Sequence, residues 1–270
     1  MTGASGYETT AEYYDFVVPY RERSDIAFYV DEAQKTEGEV LEAGCGTGRI
    51  LIPAARTGCT ITGIDLSSEM LSVCEASLKN EPSEVHDCVR LLQGDMRNFD
   101  LGKTFQLIMV PFRAFQHLLT VDDQLRCLQT LHRHLAPEGK LIIDFFNPSL
   151  ESLVNTTPGE EMGDEPEFSM PDGRRVLRRN KIIAQDRFQQ INDVQLIYHV
   201  TFPDGHVEHL IHSFKIRYLF RFEAEHLLER SGFAVENLYG DFDRKPYGEV
   251  YPGDLVFVAR KMQVKETAQR

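Results

Sequence analysis

Between Glu39 and Phe146, apolar runs of strand length alternate with stretches whose apolar residues recur at helical spacing. That alternation predicts a parallel sheet covered by helices. Strands are expected at Glu39 to Ala43, Thr60 to Asp65, Val89 to Gln93, Leu107 to Val110 and Lys140 to Phe146, with helices beginning near Thr47, Ser67 and Val121. Ser67 is placed to cap the second helix, and Glu69 stands in its first turn, where a carboxylate favours the helix dipole. A further helix from about Ser24 to Lys35 should pack on the sheet, preceded by an aromatic segment with Tyr13, Tyr14, Phe16 and Tyr20.

The pattern changes after Pro148. Pro158, Gly159, Gly163 and Pro166 mark an acidic loop, and Pro171-Asp172-Gly173 and Phe202-Pro203-Asp204-Gly205 then punctuate alternating segments in the manner of hairpins. An antiparallel insertion from about Arg174 to Arg217 is predicted. The chain should return to the first core through a helix, Phe222 to Arg230, ended by Ser231-Gly232, and two last strands, Phe233 to Tyr239 and Leu255 to Lys261. The organisation expected is an N-terminal aromatic segment and helix (1–38), a core (39–147), the insertion (148–217), a return to the core (218–261) and a tail (262–270).

Composition narrows the class. A hydrophobic fraction of 42% against 26% charged is that of a chain able to bury a sizeable core. No stretch approaches the roughly 18 apolar residues needed to cross a bilayer, and Met1 to Thr10 lack the apolar centre of a secretion signal, so a cytoplasmic protein with no membrane partner is expected. Cys45, Cys59, Cys74, Cys88 and Cys127 form no CxxC pair and read as reduced structural thiols. His206, His209 and His212 do not make a metal site on a strand, because a period of two sends His209 to the opposite face. A net charge of -13 repels a phosphate backbone, which argues against a nucleic-acid partner.

The chemistry concentrates at three strand ends. Val40-Leu41-Glu42-Ala43-Gly44-Cys45-Gly46-Thr47-Gly48-Arg49 runs from a strand into a three-glycine turn, where a Cβ would obstruct the turn and the approach of a ligand. The spacing is GxGxG, whereas a dinucleotide fingerprint places its third glycine where Arg49 stands. The next strand ends in Gly63-Ile64-Asp65, whose carboxylate is suited to ribose hydroxyls. The third ends in Gln93-Gly94-Asp95-Met96, a carboxylate and an apolar side chain suited to adenine.

Three such ends in succession resemble the class I methyltransferase family. The similarity extends to Phe105 to His117 and to Leu135-Ala136-Pro137-Glu138-Gly139-Lys140, and it covers about Tyr14 to Phe146 and Arg221 to Lys261. The resemblance implies a Rossmann-like seven-stranded α/β sheet with its final strand antiparallel, an antiparallel β insertion after the fifth strand, and S-adenosylmethionine as cofactor. It implies that Glu42, Ala43, Gly44, Gly46 and Gly48 line the methionine part of the donor and that Asp65 and Leu66 hold the ribose, with Met70 beside them. Asp95 and Met96 would face the adenine, and Val110 and Pro111 would lie beneath the sulfonium. Within the family the layout is most similar to small-molecule N-methyltransferases acting on nucleotide-linked aminosugars. The insertion then becomes a lid over the acceptor.

On the acceptor side, His117 either orients or deprotonates an acceptor amine or hydroxyl, or is a helix-face histidine bonded to backbone. Tyr14 and Tyr20 either close over the donor or touch the acceptor, or simply pack on the core. Arg113, Asn147 and Arg178 complete the candidate substrate contacts; the basic run Arg174, Arg175, Arg178, Arg179 and Lys181 otherwise reads as a solvated strand face. The fourth strand continues Val110-Pro111-Phe112, without the Asn or Asp and two prolines of DNA amino-methyltransferases, and no Pro-Cys nucleophile is present. Direct methyl transfer to nitrogen or oxygen of a small molecule, by a monomer or homodimer, is the expected activity. A nicotinamide-dependent oxidoreductase and a non-catalytic S-adenosylmethionine-binding protein are the rival readings.

Overall fold

The computed structural model describes residues 7–163 and 165–262. The tail expected from residue 262 therefore lies outside the described residues from 263 onward, as do the first six residues of the N-terminal segment.

The main sheet contains β1 (Val40–Ala43), β2 (Ile61–Asp65), β3 (Val89–Gln93), β4 (Phe105–Val110), β5 (Leu135–Phe145), β11 (Phe233–Tyr239) and β12 (Leu255–Lys261). A second sheet is built from β6 (Glu161–Met162), β7 (Phe168–Ser169), β8 (Arg175–Asp186), β9 (Ile191–Thr201) and β10 (Val207–Arg217). The main order is β11-β12-β5-β4-β1-β2-β3, with the first five strands parallel and β12 antiparallel to both neighbours. The expected seven-stranded fold and the antiparallel insertion are both present.

Alternation along the strands explains the two faces. Leu41 and Ala43, Ile108 and Val110, and Leu141, Ile143 and Phe145 pack with the helices Val121–His134 and Arg221–Arg230. Their neighbours Val40, Leu107, Met109 and Ile142 pack with the helices Asp25–Gln34 and Leu51–Ala55. Helices cover both faces of the central strands β1, β4 and β5, which are therefore largely apolar on both sides. Two charged residues nevertheless occupy the second face: Glu42 on β1 is 2% exposed and Asp144 on β5 is 1% exposed.

The insertion turns one face toward the N-terminal segment. Val176, Tyr198 and Val200 pack with Tyr13, Val17 and Phe168, so the aromatic lead joins the second sheet to the first.

Two local expectations are corrected. The helix expected near Thr47 begins at Leu51, because Gly44, Gly46 and Gly48 hold left-handed φ values of 81°, 55° and 84° that no right-handed helix admits. The strand expected from Lys140 begins at Leu135, since Leu135 already pairs with Phe105; the register then slips, and pairing resumes at Lys140 opposite Leu107. The cap at Ser67 is as expected, its hydroxyl accepting from the Met70 N–H at 3.2 Å.

Candidate active site

The carboxyl ends of β1, β2, β3, β4 and β5 share one edge of the sheet, and the glycine turn lies at its centre. A Cβ on Gly44 would stand 2.7 Å from the Ala114 Cβ and one on Gly46 3.2 Å from the Met70 Cε. The turn is thus wedged between the segment after β4 and the helix after β2. Asp65 ties it down: Oδ2 accepts from Gly46 N at 2.8 Å and Oδ1 from Ser67 N at 2.9 Å. Each carboxylate oxygen has a further lone pair for a ribose hydroxyl. Burial pushes the Asp65 pKa up, opposed by those backbone donors.

Glu42 lies beside this turn, and among the described residues no donor reaches its Oε2. Burial holds its pKa well above the usual carboxylate range, with Arg49 opposing. A buried carboxylate left unsatisfied is costly, and an ammonium group of a ligand would satisfy it. Together with the glycine cradle, this acceptor fits S-adenosylmethionine, which carries an ammonium at one end and ribose hydroxyls at the other.

Met96 and Met70 flank the turn, Val110 and Pro111 are buried beneath it, and Leu66 stands 59% exposed. Asp95 follows β3 at the same edge of the sheet. Arg97 Nε and Nη2 grip both its oxygens at 3.0 and 2.5 Å, holding its pKa down.

Aromatic side chains close the other side. Tyr14 and Tyr20 have ring centroids 4.9 Å apart, and Phe112 meets Tyr20 edge-on at 4.8 Å. Arg49, the residue standing in place of a third glycine, lays its guanidinium 4.5 Å from the Phe112 centroid and forks onto buried Asp25 at 2.8 and 2.7 Å. Thr47 donates to Asp15 at 2.5 Å, so both flanks of the turn are pinned to the N-terminal segment.

His117 ends the one-turn 3-10 helix Ala114–His117 after β4. Its ring faces Phe214 of β10 at 5.3 Å, and Phe214 stacks on His212, which stacks on Tyr7 at 4.3 Å. The imidazole reaches solvent, yet its surroundings exclude enough water, with His212 adding like charge, to lower its pKa to about 4. It is a neutral base throughout the physiological range.

Three acceptor candidates have partners within the protein. Asn147 is buried and donates to Pro252 O at 2.5 Å and Tyr247 Oη at 3.3 Å. Arg178 is 4% exposed, ion-paired with Glu165 and donating to Tyr20 Oη. The expectation of a solvated face is corrected there: β8 turns Arg178 inward with Val176, while Arg175 on the other face stays exposed. Arg113 lies over the Phe146 ring at 4.9 Å and 3.6 Å from Asp254. Among the described residues no His, Cys, Asp and Glu cluster suits a metal; His209 meets His199 edge-on at 4.8 Å instead.

Asp144, Phe112, Asp25 and Tyr7 are the residues that sequence patterning missed. Only Asp144 left a signal, a lone charge in Leu141-Ile142-Ile143-Asp144-Phe145.

Residues 40–139 match a family described as a methyltransferase domain. The chain is 27% identical over 237 residues to dTDP-3-amino-3,6-dideoxy-alpha-D-glucopyranose N,N-dimethyltransferase of Streptomyces fradiae, covering 85% of this chain and 86% of that one. It superposes on the CcbJ methyltransferase of Streptomyces caelestis with a TM-score of 0.75 at 20% identity, covering 96% and 99% of the two chains. A second structural neighbour is CalS10 with bound SAM, an amino pentose methyltransferase from Micromonospora echinaspora, at TM-score 0.68 and 23% identity over 92% and 96% of the two chains.

Proposed function

On the premise that this chain is a methyltransferase by the domain it carries over residues 40–139, we propose that it is a cytoplasmic enzyme moving a methyl group from S-adenosylmethionine directly to nitrogen or oxygen of a small molecule. The observation that carries this reading is the pairing of Asp65, bonded to the Gly46 N–H, with Glu42, whose Oε2 lacks any donor among the described residues. The two carboxylates flank one glycine turn and suit a ligand with hydroxyls at one end and an ammonium at the other.

The donor, when bound, supplies an electrophilic methyl on a sulfonium. Asp65 and Leu66 hold the ribose, Met70 and Met96 cover the nucleoside, and Glu42 with the backbone of Ala43, Gly44, Gly46 and Gly48 holds the methionine end. Tyr14, Tyr20 and Phe112 exclude water above Val110 and Pro111. Holding donor and acceptor in line can supply about 7 to 11 kcal/mol of the barrier, so no strong acid or base is obligatory. His117, neutral at physiological pH, takes the acceptor proton or orients the lone pair.

The relative from Streptomyces fradiae acts on an amino group of a nucleotide-linked sugar, which makes amines the leading acceptor class here. No helix among the described residues is long and apolar enough to cross a membrane, and the net charge of -13 disfavours nucleic acid. A monomer or homodimer suffices for the site as built.

Calorimetric titration with S-adenosylmethionine and with NADH, followed by a screen of amines, aminosugars and phenols for release of S-adenosylhomocysteine, tests the reading. Donor binding with acceptor-dependent turnover supports it. Binding of NADH alone, or donor binding without turnover on any acceptor, overturns it in favour of an oxidoreductase or a binding protein.

A further inference from the structure

Phe112 and Arg113 hold consecutive left-handed conformations, φ 54° and 66°, without being glycine. Backbone of this kind is strained in residues with a side chain and persists only where its surroundings hold it. The hold comes from the neighbouring strand. The Phe112 N–H donates to Asp144 Oδ1 at 2.8 Å, and the Tyr29 hydroxyl donates to the same oxygen at 2.6 Å. No donor among the described residues reaches Asp144 Oδ2.

What this anchor carries matters for the donor. The Phe112 ring meets Arg49 at 4.5 Å and Tyr14 at 6.2 Å, and the turn it opens brings the Ala114 Cβ to 2.7 Å from where a Gly44 Cβ would stand. The segment after β4 is thus one wall of the glycine cradle, and Asp144 fixes its starting point.

From these contacts we infer that Asp144 is a positioning residue, whose ionised carboxylate holds the Phe112–Arg113 turn against the glycine cradle and so makes donor affinity depend on its charge. The inference rests on the donor site proposed above. A carboxylate accepts the two bonds strongly, whereas protonation on the unpartnered Oδ2 leaves Oδ1 a neutral, weaker acceptor and loosens the hold on the Phe112 N–H. Burial pushes the Asp144 pKa up to about 6, opposed by the Tyr29 hydroxyl and by Arg23 and Arg113, with Asp25 adding to the rise. Arg23 and Arg113 both face Asp254, at 3.2 and 3.6 Å, and Glu42 shares the same face of the sheet two strands away.

The test uses the full chain and S-adenosylhomocysteine as probe, titrated by calorimetry between about pH 5 and 8. Wild type should lose about tenfold in affinity as pH falls through about 6, the effect of weakening one charge-assisted hydrogen bond. Asp144→Asn should bind more weakly and lose this limb. Tyr29→Phe, which removes a donor to the charged form, should move the limb to higher pH, an effect that loss of packing alone does not produce. A limb surviving unchanged in Asp144→Asn would assign it to Asp65 or Glu42 and overturn the inference, as would a flat wild-type profile with tight binding. Absence of probe binding at every pH would instead remove the donor site itself, and this inference with it.

Discussion

The backbone N–H of Gly46 donates to Asp65 Oδ2 at 2.8 Å across the gap between β1 and β2, so the residue assigned to the ribose also shapes the glycine turn. Its other oxygen accepts from Ser67 N at 2.9 Å and helps start the following helix. Asp65→Ala should therefore act twice. Calorimetry with S-adenosylmethionine should show affinity reduced at least about tenfold, from loss of a charge-assisted hydrogen bond worth about 1.5 to 3 kcal/mol, and thermal unfolding should show a lowered midpoint. Unchanged affinity would remove Asp65 from the site.

At Gly44, φ is 81° and a Cβ would lie 2.7 Å from the Ala114 Cβ. Gly44→Ala should weaken donor binding through two separable costs, backbone strain and a side-chain clash. Adding Ala114→Gly relieves only the clash, so the double variant should regain part of the lost affinity. Full recovery would mean that the left-handed backbone costs nothing there, and no recovery that the clash is absent.

His117→Ala should lower turnover by about a hundredfold, the usual scale of general-base help, while leaving donor affinity within a few fold. With the imidazole pKa lowered to about 4, the rate limb belonging to His117 should lie near that value, below the ordinary histidine position near 6.5. The sign follows from the depressed value: the ring is neutral above the limb, so activity falls with falling pH. A turnover and pH profile matching wild type would make His117 a structural residue.

Arg178 and Glu165 form a buried pair, with side chains 5% and 17% exposed. Removing one partner leaves an unmatched charge, so Arg178→Ala should cost about 3 to 5 kcal/mol in denaturant unfolding. Arg179, which donates to the backbone oxygens of Glu165 and Arg178 at 3.2 and 3.0 Å, is the site at which to probe the insertion: Arg179→Glu should leave donor affinity intact. A large fall in donor affinity would show that the insertion governs more than the acceptor.

Asp144 binds protons more readily folded than unfolded between about pH 4 and 6, so stability falls as pH rises through that window and the cost persists at neutral pH. Asp144→Asn should raise stability at pH 7 by up to about 3 kcal/mol, the size of the shift from an ordinary aspartate, and should flatten the stability profile over the same window. A variant less stable than wild type at pH 7 would show that the carboxylate's bonds outweigh its burial.

By itself the sequence determined the strand order's raw material: the five apolar runs, the glycine turn, the acidic ends of β2 and β3, the insertion, and the last two strands to the residue. These are legible because periodicity and turn chemistry are local and repeat over neighbouring residues. What each polar side chain does was decided only by tertiary structure, since its partner lies far along the chain. Tyr29 meets Asp144 across 115 positions and Arg178 meets Tyr20 across 158. Arg178 read either as a substrate contact or as part of a solvated basic face, yet the phase of β8 against the aromatic lead buried it beside Glu165. His117 was singled out by its distance from the β4 edge, but the lowering of its pKa to about 4 comes from desolvation by its surroundings, with His212 of β10 adding to it, which no spacing near His117 encodes.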